Sequence, residues 1–97
     1  MAPSVLVQTA TQALVMYSEK IDSIPDPVIK QEHANAYRML GAMMKYAPTT
    51  AGSDYIASSI EECGDNYGQL QRLGIMYRDN LILPCAFLNP LLSRRLS

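Results

Sequence analysis

The Pro25 and Pro27 pair, Pro48, Gly64 and Pro84 divide this chain into helix-length pieces. Proline lacks the amide hydrogen that a helix interior needs and pushes the residue before it out of the helical region. A glycine such as Gly64 takes the left-handed conformation that closes a helix without steric cost. No long helix passes these points, so a helical chain of this sequence must fold back on itself several times.

Between the breakers, apolar residues recur at helical spacing. Leu6, Ala10, Ala13, Leu14 and Tyr17 follow Pro3 and Ser4, which suit a first turn and cap, and predict a helix over about 4 to 20. Residues 21 to 27 read as a connector because each proline there disfavours helix before it. From Pro27, the residues Ile29, His33, Ala36, Tyr37, Leu40, Met44 and Ala47 mark the buried face of a second helix over about 28 to 46. Thr49 and Thr50 offer hydroxyl caps to a third helix, whose stripe is Tyr55, Ile56, Ser59, Ile60 and Cys63. Asp65 or Asn66 offers a cap to a fourth, with Leu70, Leu73, Gly74, Tyr77 and Leu81 on one face and Leu73 at its centre.

No stretch alternates in the manner of a strand, so the expected fold is all-α: a small antiparallel bundle of four helices formed by residues 1–84. With 48% hydrophobic and 18% charged residues in a 97-residue chain, one globular domain is the expectation, and disorder and a second domain are excluded. Residues 85–97 form an apolar C-terminal tail carrying Phe87, Leu88, Leu91, Leu92 and Leu96. Such residues are ordinarily tied down, so packing on the bundle is the leading expectation, ahead of docking on a partner or lying on a membrane surface.

Several chemistries lack their residues. One histidine, His33, and two cysteines, Cys63 and Cys85, fit neither a zinc finger nor a C-x-x-C redox site, and both thiols are expected reduced. No metal or other cofactor is expected. The first 17 residues have no positive opening and are interrupted by Gln8, Thr9, Thr11 and Gln12, which is unlike a secretory signal. The expected location is intracellular, cytoplasmic or nuclear, with no membrane partner, since no apolar run approaches the roughly 18 residues of a spanning helix. A net charge of −1 gives no general attraction to nucleic acid.

Individual residues that catch attention read as structural. His33 lies on an inner stripe without a readable nucleophile or acid beside it, and Met39, Met43 and Met44 read as core filler. The six tyrosines read as interface residues, and Glu61, Glu62 and Asp65 as a solvated acidic face. The third and fourth helices with the Gly64 turn allow a helix-turn-helix reading in which Gln69, Gln71, Arg72 and Arg78 are offered to DNA.

The run from Arg38 to Ile60, then Glu61-Glu62-Cys63-Gly64 and Leu73 to Pro84, resembles the helical region preceding the nuclease module of fungal predicted HNH endonuclease-like proteins. Leu40, the Tyr46-Ala47-Pro48 stop, Gly52, Tyr55, Ala57, Ile60, Cys63, Leu73, Gly74, Tyr77, Leu81 and Pro84 carry the similarity, over about half the chain. These are packing and punctuation residues. Only 13 residues follow Pro84 and His33 is the only histidine, so the resemblance brings over no catalytic or metal residue. It implies an accessory helical domain, a stand-alone paralogue or a truncated product.

The function expected from all this is non-enzymatic: a helical protein-interaction or self-association domain, forming a homo-oligomer or binding another protein through Phe87, Leu88, Leu91 and Leu92. The alternative is a DNA-associated accessory domain using Arg72, Arg78, Arg94 and Arg95.

Overall fold

Three side-chain caps open the first three helices of the computed structural model, which describes residues 4–80. The Ser4 hydroxyl accepts from the Val7 amide at 3.2 Å and starts α1, Val5–Asp22. Asp26 accepts from the Val28 and Ile29 amides at 2.8 and 3.2 Å and, with Pro27 in the first turn, starts α2, Pro27–Tyr46. Thr49 accepts from the Gly52 amide at 3.0 Å at the head of α3, Thr50–Cys63. Each cap satisfies amides that have no partner within the helix. Gly64, at φ 58°, then closes α3 with its amide donating to the Glu61 carbonyl at 2.9 Å. Asn66 accepts from the Gln69 amide at 3.1 Å where α4, Tyr67–Asn80, begins.

The fold is the expected all-α antiparallel bundle of four helices, with no strand among the described residues. The first connector is shorter than the prolines suggested, because α1 continues through Ile21 and Asp22. Ile21 is buried in the core, and its burial outweighs an earlier stop. None of the four helices is long and apolar enough to cross a membrane. Leu81, the Pro84 stop and the tail with Phe87, Leu88, Leu91, Leu92, Arg94 and Arg95 lie outside the described residues.

The core joins Ala10, Leu14, Tyr17 and Ile21 of α1 with Leu40, Met43 and Met44 of α2, Ile56, Ala57 and Ile60 of α3, and Leu70 and Tyr77 of α4. Three residues expected on the inner stripes are exposed: Leu6, Ile29 and Tyr55. Leu6 and Ile29 stand in first turns, where a bundle has little covering layer, and α3 is turned so that Ala57 is buried while Tyr55 faces out. On α4 the buried positions are Leu70, Gly74 and Tyr77, while Leu73 is only half-buried.

The most extensive packing is between alternate helices, α2 with α4 and α1 with α3, rather than between sequence neighbours. Small residues permit this. A Cβ placed on Gly74 would lie 2.7 Å from the Ala36 carbonyl oxygen and 2.8 Å from its Cα, so the two backbones meet with no room for a side chain. At one end of the α1–α3 pair the Ser4 hydroxyl donates to the Asp54 carboxylate at 2.5 Å, and at the other Thr9, Ala13 and Met16 face Glu61 and Asp65. The two helices therefore run in the same direction.

Candidate functional site

The helices bring together residues that are far apart in sequence. Tyr17 is fully buried, and its hydroxyl lies 2.6 Å from His33 Nδ1. Tyr67 stacks on the Tyr17 ring at 5.5 Å and 7°, and Tyr37 meets it edge-on at 6.2 Å and 77°. Burial pushes the Tyr17 phenol up to about 12, so at neutral pH it holds its proton. The phenol and the imidazole are within hydrogen-bond distance, and the His33 tautomer sets which of the two donates. Sequence spacing could not show this cluster, because residues 17, 33, 37 and 67 meet only through tertiary packing.

The described Cys63 and Tyr77 are held in structural surroundings. The Cys63 thiol donates to the Ser59 carbonyl at 3.4 Å, and burial with nearby Glu62 pushes it up, away from the reactive thiolate. Tyr77 is buried with no hydrogen-bond partner for its hydroxyl, and desolvation pushes its phenol up. Among the described residues no group of three or more His, Cys, Asp or Glu could hold a metal ion.

The described residues also form two surface recesses. One, of about 440 Å³, lies where α1 and α3 begin and α2 ends, lined by Ser4, Lys45, Pro48, Thr49 and Asp54. The Ser4 and Thr49 hydroxyls there are used as caps, the Ser53 hydroxyl donates to the Met44 carbonyl at 3.1 Å, and Asp54 accepts from Ser4. The other, of about 380 Å³, lies between α1 and the α3–α4 turn and is lined by Thr9, Ala13, Met16, Glu61, Gly64, Asp65 and Tyr67. It is mostly apolar, with Met16 58% exposed beside it. Two of the three carboxylates read as a plain solvated face thus frame a groove. The turn at Gly64 lets Glu61 and Asp65 line the same recess, and helical periodicity does not extend across such a turn.

The methionines expected as filler are so placed: Met43 and Met44 are buried and Met39 packs against the core. Arg72 and Arg78 are both exposed, but six residues of α4 put them roughly 120° apart around the helix. Arg78 also pairs with Asp79 at 2.8 Å. The structure does not join them into one patch. Compared with protein-family models, curated proteins and solved structures, the chain matches none.

Proposed function

We propose that this chain is a non-enzymatic helical interaction domain that binds a protein segment in the groove between α1 and the α3–α4 turn. The supporting observation is the groove itself, whose lining combines Ala13, Met16 and Tyr67 with Glu61 and Asp65. Apolar contact supplies binding, and Glu61 and Asp65 select a ligand with a cation beside its apolar residues. A second copy of the chain carries such a ligand in Leu91, Leu92, Arg94 and Arg95, so self-association is the first arrangement to test. A role as an accessory region of HNH nuclease-like proteins rests on the sequence pattern of residues 38–84 alone.

Light scattering of the full chain over a concentration series, beside a DNA shift assay at two salt concentrations, tests this reading. The expected result is a mass that rises toward a dimer at high micromolar concentration, with no salt-sensitive DNA shift. A monomer throughout, with DNA binding that weakens as salt rises, would replace it with the DNA-associated alternative.

A further inference from the structure

We infer that the outer face of α1 docks on the same face of a second copy, the two helices running antiparallel about a two-fold axis at Gln12. From Val5 to Ser18 this helix has no charged residue, and Val5, Val15 and Met16 are exposed on it. Val5, Thr9, Gln12 and Met16 form one stripe at helical spacing, opposite the buried Ala10, Leu14, Tyr17 and Ile21. The other three helices turn charge outward: Glu32, Arg38 and Lys45 of α2, Glu62 of α3, and Arg72 and Arg78 of α4 are exposed. The stripe borders the groove, shares only Thr9 and Met16 with it, and can pair whether or not the groove takes a segment.

Charge names the occupant. A neutral face has nothing with which to select a charged partner, and a charged surface laid on it would lose water without gaining a counter-charge. A two-fold axis lays the face on itself, which brings no like charges together because the stripe is neutral. In the antiparallel arrangement, residues equally distant from Gln12 lie opposite one another. Met16 then meets the partner's Gln8 and Thr9, and Lys20 reaches the partner's Ser4, whose hydroxyl donates to Asp54. Each copy so brings a cation to the carboxylate at the head of the other's α1–α3 pair. A parallel arrangement would set Lys20 by Lys20 and like ends of the two helix dipoles side by side. Size sets the strength. The 18 residues of α1 span about 27 Å, and a helix about 10 Å wide covers about 270 Å² per copy, well below the roughly 800 Å² per partner of a stable complex. The dimer is therefore a weak one, formed at high micromolar concentration.

Gln12→Glu and Gln12→Lys in the full chain, alone and mixed one to one, test this by sedimentation equilibrium up to near-millimolar concentration, with a circular dichroism melt to verify each fold. Gln12 is exposed and outside the groove. The axis sets position 12 against itself, so each variant alone should dimerise at least tenfold more weakly than the parent, and the mixture, which puts opposite charges at the axis, should recover the parent's association. Under mild oxidation, Gln12→Cys should form a disulfide between copies and Val5→Cys should not, both with Cys63→Ser and Cys85→Ser. Association untouched by either charge, weakening that the mixture does not recover, equal cross-linking at both positions or a monomeric parent each overturns the inference. Glu61→Lys/Asp65→Lys separates it from the groove reading: association lost there but kept in the Gln12 variants overturns the α1 pairing and leaves the groove, and the reverse keeps the pairing and removes the groove as the site of self-association.

Discussion

The same substitution, glycine to alanine, should have opposite signs at two places in this bundle. Gly74→Ala puts a methyl 2.7, 2.8 and 2.9 Å from the carbonyl oxygen, Cα and Cβ of Ala36, where ordinary contacts need about 3.5 to 4 Å. Two of the three atoms belong to the backbone of α2, so relief requires α4 to move away by the better part of an ångström. Overpacking of this kind costs about 1 to 3 kcal/mol, and the tight backbone contact argues for the upper part of that range. Replacing glycine inside a helix returns about 0.5 to 1 kcal/mol, leaving a net destabilisation of about 1 to 2 kcal/mol. At Gly41, in the middle of α2, an added Cβ meets nothing within 4 Å, so only the gain remains. Urea denaturation followed by circular dichroism should show midpoints shifted in opposite directions with unchanged slopes. Equal stabilisation by the two variants would mean that α2 and α4 do not cross at Ala36 and Gly74.

Leu70→Ala should cost about 2 to 5 kcal/mol because Leu70 is fully buried, and Leu73→Ala should cost less, as chemical denaturation of each variant would show. Asp26→Ala, which removes the acceptor of two α2 amides, should cost about 1 kcal/mol by the same measurement. The Tyr17 phenol is raised from 10.0 to about 12 in the folded chain, so its contribution to stability is complete below pH 10 and is lost as pH rises toward 12. Melting temperatures across that window should fall less steeply in Tyr17→Phe. Incubation with linear and supercoiled DNA in Mg²⁺, Mn²⁺ or Zn²⁺ should give no cleavage attributable to the protein; chelator-sensitive cleavage lost in His33→Ala would make His33 an active-site residue.

Local rules made the helices legible. Prolines, the Gly64 stop and the hydroxyl or carboxylate caps act over a few residues, and all four helices begin, and α1 to α3 end, close to them. The rotation of each helix was less legible, because neighbouring apolar residues such as Tyr55, Ile56 and Ala57 permit more than one inner face. Gly74 was readable as an inner residue, but its meeting with Ala36 joins two helices and has no signature in either. The groove was hidden for the same reason. Glu61 and Asp65 look like an ordinary acidic surface until the turn and α1 place Met16 and Ala13 beside them.

Met16→Glu, compared with the parent chain by sedimentation equilibrium from low micromolar to near-millimolar concentration, tests the groove's role most directly. Met16 is 58% exposed, so a carboxylate there should leave the fold intact, which a circular dichroism melt would verify, while adding a third negative charge to an apolar site. The parent should move from monomer toward dimer over the series, and Met16→Glu should remain monomeric at least tenfold further along it. Identical association curves for the two proteins, both folded, would place the interaction surface elsewhere and contradict the account.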